Sequence, residues 1–233
     1  MGIIPARLKS TRFPRKILHP IEGIPMVVHV YNQARKAKSL LDVLIAIDDL
    51  ETEDVLKSLK VKTIMTAKKH ASGTDRAAEA AEDIDADIIV NIQGDEPFLD
   101  PSLIDELVSA LADGEVEMAT AASTILEPGD VYNSNVVKVL LNNQGQARSF
   151  SREPRQQTLG GYYRHIGIYA FKKEKMMEFA ALPPSDNEKY YKLEQLRALD
   201  NGIPIKVVLT RYPYKGVDSI EDLQQFKGYH ESS

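Results

Sequence analysis

The sequence predicts a three-layer α/β protein with a mostly parallel sheet and a smaller mixed or antiparallel second lobe. Three observations indicate this fold class. Short runs rich in Ile and Val alternate with helical patterns in the first half of the chain, and β segments joined by Gly-containing turns fill the second half. The length of 233 residues is enough for one domain with a large core. We therefore expect a single domain over residues 1–233, with residues of about 130–200 forming the smaller lobe.

The first half alternates strands with helices. Apolar runs bounded by polar or turn residues predict strands at 2–4, 42–47, 62–65, 87–92 and 118–122. Amphipathic segments between them predict helices at 26–38, 52–59, 75–82 and 101–112. This alternation implies parallel strands with right-handed crossovers. Ligands bind at the carboxyl ends of such strands, which here carry the polar segments "PARLKSTR", "IDD", "TAKKHASGTDR" and "QGDEP".

The second half has a different pattern. Segments 136–141, 147–151 and 162–171 predict antiparallel strands joined by "NNQG" and by a polar, Gly-rich stretch. The segment "NEKYYKLEQLRALDNG" predicts one helix that stops at Asn201 and Gly202. A strand at 205–210 and a helix that begins near Ser219 complete the predicted elements.

Composition excludes several classes of protein. The chain has no Cys, so it has neither disulfides nor a thiolate zinc site. Its formal net charge of -5 and its lack of Trp argue against a surface that coats nucleic acid. Its apolar runs are far shorter than the roughly 20 residues that span a bilayer, and its first residues lack the pattern of a secretion signal. We therefore expect a cytoplasmic protein that binds no nucleic acid and has no stable membrane insertion.

A cation-rich loop follows the first predicted strand in "IIPARLKSTRFPRKIL". Cations this close repel one another unless an anion compensates, and a nucleoside triphosphate would suffice. Backbone N–H groups around Ser10 and Thr11 could cradle its phosphates. The alternative is a solvated basic loop, because the segment lacks the Gly that precedes the Lys of a Walker A motif. The five cations are Arg7, Lys9, Arg12, Arg15 and Lys16.

Acidic residues follow another predicted strand in "NIQGDEPFLDP". Asp95 and Glu96 lie where ligands bind in such sheets, and an acid there could hold Mg²⁺, which prefers oxygen ligands. The alternative is an acidic turn that leads to a helix cap. Asp218 in "YKGVDSIEDL" is either a second metal ligand or only the N-cap of the next helix.

Two further segments have weaker patterns. "KKHASGTDRAAEAA" joins a Gly-containing loop to a helix, which is a suitable place to read a base or hold a phosphate. In "YYRHIGIYAF", strand alternation puts His165, Gly167 and Tyr169 on one face. That face either receives a polar ligand or is simply satisfied within the fold. The sequence has neither a Ser-His-Asp arrangement nor a His/Glu zinc motif.

Seven motifs, taken in order, closely resemble the 3-deoxy-manno-octulosonate cytidylyltransferase family, also called the CMP-Kdo synthetases. They are "IPARLKSTRFPRK", "HASGTDR", "NIQGDEPF", "SREP", "RHIGIYAF", "LEQLRALDNG" and "GVDSIEDL", and they cover nearly the whole chain. The resemblance implies a three-layer nucleotide-binding fold and a Mg²⁺-dependent nucleotidyltransferase. Its reaction would transfer CMP from CTP to Kdo and release pyrophosphate, for lipopolysaccharide biosynthesis. We also expect a homodimer, for which an antiparallel edge of the second lobe is a candidate surface.

The resemblance also implies a role for individual residues. Phosphates of CTP would be held by Arg7, Ser10, Thr11, Arg12 and Lys16. The cytosine would lie near Arg76 and the backbone of Ala71, Ser72 and Gly73. The sugar pocket would be lined by Gln93, Arg152, His165, Tyr169, Glu194 and Gln195. Magnesium would be held by Asp95 and Asp218, which with Arg7 and Lys16 form the expected catalytic set.

The sugar side departs from the family pattern. Family members commonly follow the "SR.P" turn with Ile-Pro and a longer loop, whereas here "SREP" passes directly to "RQQTLGGYY". One alternative is a cytidylyltransferase for another acidic sugar, such as an 8-amino Kdo analogue or a sialic acid. Another is a non-catalytic nucleotide-binding regulator. A purely structural role would leave the clustered cations unexplained.

Overall fold

The computed structural model describes residues 1–8, 13–112, 114–153, 161–212, 216–217 and 222. The chain divides into two compact units. Unit 1 comprises Met1–Ile84, Asn91–Pro101 and Lys215–Ser233, and unit 2 comprises Asp85–Val90 and Ser102–Tyr214. Over the described part of the chain, every helix is too short or too polar to cross a bilayer.

Unit 1 is built on three parallel strands. Its strands are β1 (Gly2–Pro5), β2 (Pro20–Ile21), β3 (Ile24–Pro25), β4 (Val43–Ile47) and β5 (Thr63–Met65). Its helices are α1 (Met26–Ala34), α2 (Leu50–Ser58) and α3 (Gly73–Ala81), and a single 3₁₀ turn covers Lys16–Leu18. The sheet order is β1-β4-β5, with Ile4 opposite Ile45. Both side chains are fully buried, so this sheet is the core of the unit.

The small elements of unit 1 follow from local chemistry. β2 and β3 form a hairpin whose two turn residues, Glu22 and Gly23, have φ of 50° and 80°. Positive φ at both central positions is the geometry of a type I′ turn. Helix α2 is capped at its N-terminus by Asp49, whose side chain accepts the backbone N–H of Thr52 at 2.8 Å.

Unit 2 holds the mixed part of the fold. Its strands are β6 (Ile88–Asn91, the last residue belonging to unit 1), β7 (Met118–Ser123), β8 (Lys138–Leu141), β9 (Ala147–Ser151), β10 (Tyr162–Lys172) and β11 (Lys206–Thr210). Its helices are α4 (Pro101–Ala110, its first residue in unit 1), α5 (Pro128–Tyr132), α6 (Lys173–Ala181), α7 (Asp186–Tyr191) and α8 (Gln195–Asp200). The strand order is β11-β7-β10-β6. β11 is parallel to β7, whereas β10 is antiparallel to both β7 and β8. β9 pairs with β8 in the antiparallel direction.

These pairings confirm the predicted fold class, but several elements differ from the prediction. The β2–β3 hairpin, α5 and α6 were not predicted from the sequence. The predicted helix over 26–38 ends at Ala34. The helix predicted in "NEKYYKLEQLRALDNG" is wrong as one element, because Lys192 has φ of 54° and separates α7 from α8. The helix predicted near Ser219 falls outside the described residues.

Candidate active site

The cation loop of unit 1 begins directly after β1. Lys16 is 12% exposed and its Nζ donates to Asp95 Oδ2 at 2.6 Å. Arg7 is exposed, and within the described ranges it forms no ion pair. Arg15 is exposed as well, but it pairs with Glu51. Among the described cations of this loop, Arg7 and Lys16 are the ones to which the family resemblance assigns a phosphate. The remaining predicted phosphate ligands, Ser10, Thr11 and Arg12, lie outside the described residues.

A small apolar cluster in unit 1 joins three distant parts of the sequence. Phe13, Met26 and Val217 are buried together, with Ile21 and Phe98 packed against them. The backbone N–H of Val217 donates to the carbonyl oxygen of Asp95 at 3.0 Å. Asp218 lies outside the described residues, but the residue before it is thus tied to the backbone of Asp95.

Asp95 has the chemistry of a magnesium ligand. Its side chain is 36% exposed, and its carboxylate is a hard oxygen donor of the kind Mg²⁺ prefers. Three or more His, Asp or Glu side chains grouped as a metal site are not found among the residues that the structure describes. Asp95 by itself fits the ion, and completing the site requires a further ligand.

The turn before α3 lies close to the end of β1. Ser72 and Asp75 form a reciprocal cap: Ser72 Oγ accepts the N–H of Asp75 at 3.1 Å, and Asp75 Oδ2 accepts the N–H of Ser72 at 3.0 Å. A Cβ at Gly73 would lie 3.3 Å from Pro5 Cγ and 3.8 Å from Gln93 Nε2. Glycine therefore lets the turn approach β1, and Gln93 lies beside it. Ala71 is exposed at the start of this turn.

Arg76 is buried behind this turn and makes internal contacts. Its Nη2 donates to Asp48 Oδ2 at 3.0 Å, and its Nη1 donates to Thr66 Oγ1 at 2.6 Å and to the carbonyl of Ala67 at 3.2 Å. The other oxygen of Asp48 accepts the N–H of Leu8 at 3.3 Å. Asp48 thus links the start of the cation loop to α3. Sequence reasoning gave Asp48 no role, although "IDD" at the end of β4 was a signal for it.

In unit 2, Lys138 organises the segment around Arg152. Lys138 is fully buried, and its Nζ donates to the carbonyls of Asn133 at 2.8 Å and Arg152 at 2.7 Å. Burial lowers the pKa of Lys138. Arg152 itself donates from Nη1 to the carbonyl of Ser134 at 2.9 Å. Lys138 was missed by sequence reasoning, and its only signal is a lone cation within the apolar run "NVVKVLL".

His165 lies in an aromatic and almost dry environment on β10. It is 8% exposed, and its ring contacts those of Phe150 and Tyr169 at centroid distances of 4.9 and 5.7 Å. The contact with Tyr169 agrees with the prediction that both share one face. Burial lowers the pKa of His165 to about 3, so the ring is neutral at physiological pH. Its Nε2 lies 3.0 Å from Thr120 Oγ1.

Glu194 and Gln195 lie at the start of α8, which a buried ion pair fixes to α7. Gln195 is buried and Glu194 is half-buried. Arg197 forms a two-bond pair with Glu188, with Nε to Oε2 at 2.8 Å and Nη2 to Oε1 at 2.7 Å. Its guanidinium also lies 4.7 Å from the centre of the Phe179 ring. The two predicted sugar residues are therefore held on a rigid helix pair.

Among the predicted residues, unit 1 brings Lys16 and Asp95 into contact and places Gln93 beside Gly73. Unit 2 brings His165 and Tyr169 into contact. Unit 2 also carries the other predicted sugar residues, which are Arg152, Glu194 and Gln195.

Comparison with known proteins identifies the family. The cytidylyltransferase family model matches residues 1–207. The 3-deoxy-manno-octulosonate cytidylyltransferase of Chloroherpeton thalassium is 42% identical over 233 residues, which cover 97% of this chain and 95% of the relative. The protein of that name from Nitratidesulfovibrio vulgaris (strain DP4) is 46% identical, covering 95% and 92%.

A solved structure agrees with these sequence relatives. It is that of CMP:2-keto-3-deoxy-manno-octonic acid synthetase complexed with CTP, and it superposes with a TM-score of 0.91 at 34% identity. The match covers 99% of this chain and 97% of that one. The chain therefore belongs to the cytidylyltransferase family and groups there with the 3-deoxy-manno-octulosonate cytidylyltransferases.

Proposed function

We propose that this protein transfers CMP from CTP to Kdo and releases pyrophosphate, the activation step for lipopolysaccharide biosynthesis. The observation that carries the proposal is the contact of Lys16 with Asp95 beside the cation loop, which pairs a phosphate-binding cation with a metal-binding carboxylate. The relatives with the same reaction in their names support it.

The reaction is an in-line displacement at the α-phosphorus of CTP. The anomeric hydroxyl oxygen of the sugar forms a bond to that phosphorus, the bond to the bridging oxygen of pyrophosphate breaks, and the hydroxyl proton is released. Charge is the main obstacle, because an anionic sugar acid must approach a triphosphate. Arg7 and Lys16 offset this repulsion and stabilise the charge of the pentacoordinate transition state. Arg12, with the backbone of Ser10 and Thr11, would complete this phosphate loop.

Asp95 and Asp218 would hold Mg²⁺. The hydrogen bond between Val217 and the backbone of Asp95 supports this pairing, because Val217 directly precedes Asp218. When bound, the ion would lower the pKa of the attacking hydroxyl and stabilise charge on the α-phosphate. Lys16 donates to Asp95 and therefore holds the carboxylate in one orientation.

Different residues would serve the base and the sugar. Gly73 and the backbone around it would approach cytosine, while buried Arg76 holds this turn in place from behind. On the sugar side, the guanidinium of Arg152 suits the Kdo carboxylate, because its fork of N–H groups matches two oxygens. The other sugar contacts would come from Gln93, His165, Tyr169, Glu194 and Gln195.

We also propose that the protein acts as a homodimer in the cytoplasm. Strand β9 pairs with β8 alone among the named strands. The N–H of its first residue, Ala147, donates to the carbonyl oxygen of Ile205, so the part of the other edge beyond Ala147 is what would offer backbone groups to a second copy. Light scattering on the purified protein tests the dimer, and a monomer mass at micromolar concentration would contradict it.

The decisive experiment measures pyrophosphate release. CTP, UTP, ATP and GTP are each combined with Kdo, an 8-amino Kdo analogue or a sialic acid, and we expect the highest rate with CTP and Kdo. Higher kcat/KM with another acidic sugar would reassign the substrate, and no release with any pair would favour a nucleotide-binding regulator.

Variants Lys16→Met and Arg15→Met provide a matched pair for the phosphate loop. The first removes a cation that contacts Asp95, and the second removes a neighbouring exposed cation that pairs with Glu51. Loss of one charge-assisted phosphate contact, about 1.5–3 kcal/mol, should raise the Kd for CTP by about 10- to 150-fold in Lys16→Met. Arg15→Met should stay near the wild-type value. Equal effects in the two variants would contradict the assignment of Lys16.

A further inference from the structure

Thr120 on β7 contacts His165 at an irregularity of β10. Ile166 pairs with Ala121 and Tyr169 pairs with Thr120, so three steps along β10 match one step along β7. The fully buried hydroxyl of Thr120 lies at this irregularity. Its Oγ1 is 2.8 Å from the carbonyl oxygen of Ile168, 3.3 Å from that of Ile166 and 3.0 Å from His165 Nε2.

A hydroxyl has one proton, so Thr120 cannot donate to all three groups. A carbonyl oxygen can only accept, whereas a neutral imidazole nitrogen either donates or accepts. The distance of 2.8 Å to Ile168 is typical of an O–H···O bond, and the distance of 3.0 Å to His165 is typical of an N–H···O bond. The assignment that satisfies the two closer groups has Thr120 donating to Ile168 while accepting from His165.

We propose that Thr120 is a positioning residue that fixes His165 in the tautomer with hydrogen on Nε2, so that Nδ1 accepts a hydrogen bond from a hydroxyl group of the sugar. This inference rests on the proposed function, which places His165 in the sugar pocket. The backbone N–H of His165 also donates to the carbonyl of Val137 at 2.9 Å. The backbone and the ring are therefore each anchored by a hydrogen bond.

The fixed tautomer has a consequence for specificity. A neutral ring with hydrogen on Nε2 presents only a lone pair at Nδ1, so it attracts a donor and repels a carboxylate. Kdo carries both hydroxyl groups and a carboxylate. His165 therefore favours the orientation in which a hydroxyl faces it, and the carboxylate must be met by a cation elsewhere.

The test reads the tautomer directly. Protein labelled with ¹⁵N-histidine is examined by long-range ¹H–¹⁵N correlation, and His165 is assigned by the loss of its signals in His165→Gln. We expect the pattern of an Nε2–H tautomer in the wild type without substrate. Signals of an Nδ1–H tautomer, or of a charged ring at pH 7, would overturn the inference whether or not the enzyme is active.

The kinetics of three variants then show whether the hydroxyl of Thr120 positions His165 or only stabilises the fold. Thr120→Val keeps the shape but removes the hydroxyl, Thr120→Ser restores it, and Thr124→Val makes the same change at an exposed neighbour. We expect Thr120→Val to raise KM for Kdo by about five- to tenfold, the effect of losing one neutral hydrogen bond, with KM for CTP unchanged. Thr120→Ser and Thr124→Val should match the wild type.

Other outcomes are equally informative. A rise of both KM values in Thr120→Val, without rescue by Ser, would indicate a merely structural hydroxyl and overturn the inference. If His165→Gln leaves KM for Kdo unchanged while the wild type shows the Nε2–H tautomer, the proposed sugar contact fails and the tautomer assignment stands. If Thr120→Val does not fold, Thr120→Ser and the wild-type spectrum still decide the question.

Discussion

Asp48 should be far less tolerant of replacement by Asn than Asp49 beside it. Asp48 uses one oxygen to accept the N–H of Leu8 and the other to accept Nη2 of Arg76. Asn has only one acceptor oxygen, so Asp48→Asn leaves one donor facing an NH₂ group. A guanidinium cannot reverse its hydrogen bonds, because all of its N–H groups are donors.

The size of the effect follows from burial. Arg76 and Asp48 have side chains that are only 4% and 13% exposed. Removing one partner of a buried, hydrogen-bonded pair costs about 3–5 kcal/mol. The cost is smaller for Arg76, because its Nη1 keeps its hydrogen bonds to Thr66 and Ala67. We expect Asp48→Asn to lower the free energy of unfolding by about 2–4 kcal/mol.

Asp49→Asn is the matched control. Asp49 caps α2 by accepting the N–H of Thr52 at 2.8 Å and its hydroxyl at 2.6 Å. Asn caps helices about as well as Asp, and the Thr hydroxyl can turn to accept from the new NH₂ group, so the loss should stay below about 1 kcal/mol.

Urea unfolding followed by circular dichroism gives both free energies, and calorimetry gives the affinity for CTP. We expect weaker CTP binding in Asp48→Asn, because Leu8 follows Arg7 in the cation loop. Equal stability losses in the two variants would refute the argument from acceptor count. Wild-type CTP affinity in a folded Asp48→Asn protein would refute the link between Asp48 and the loop.

Three other predictions address the metal, the second unit and pH. Asp95→Asn and Asp218→Asn should each keep the fold yet remove most of the Mg²⁺-dependent rate. Measuring kcat against Mg²⁺ concentration for both single variants and the double variant should show that the two losses are strongly non-additive. Near-normal turnover in Asp218→Asn would indicate a helix cap only. Arg197→Met should lower the free energy of unfolding by about 2–4 kcal/mol, because it removes the ion-pair partner of Glu188 while Oε2 of Glu188 still accepts the N–H of Ser185. Double substitution with Glu188→Leu should recover part of this loss in urea titrations, and a purely additive result would contradict a buried pair. The pKa of His165 is lowered to about 3, so below its ordinary value of 6.5 the unfolded chain takes up a proton that the folded chain refuses, and stability falls as pH falls. Relative to His165→Gln, the wild type should therefore lose about 1.4 kcal/mol per pH unit between pH 6 and pH 4, whereas parallel stability curves would show that the ring is charged in the fold.

The sequence predicted the sheet because its strands are short, apolar and separated by helical patterns. It could not predict the break between α7 and α8. Lys192 adopts a left-handed conformation that neither Gly nor Asn marks there, and the break allows Arg197 to reach Glu188 across the helix pair. The energy of that buried pair, rather than local propensity, fixes the local backbone.

The sequence predicted some contacts of the site residues and could not predict others. Lys16 and Asp95 are 79 positions apart, and the rule that loops at strand ends share one edge was enough to bring them together. The internal role of Arg76 was not predictable, because its partners Asp48 and Thr66 come from two other loops. The tautomer of His165 depends on the hydroxyl of Thr120, 45 positions away on a strand whose sequence resembles ordinary core.

The position of Val217 in the sequence determines when its contacts can form during synthesis. Val217 lies about 200 positions after Phe13, yet it packs against Phe13 and Met26 and donates its N–H to the carbonyl oxygen of Asp95. Closing a loop of about 200 residues costs little more than closing one of 100, because the entropy grows only with the logarithm of length. The contact must nevertheless wait until the ribosome has synthesised the chain as far as Val217. A nascent chain can therefore pair β1, β4 and β5 long before Val217 can bond to the backbone of Asp95, so this part of the proposed metal site forms later than the sheet that carries it.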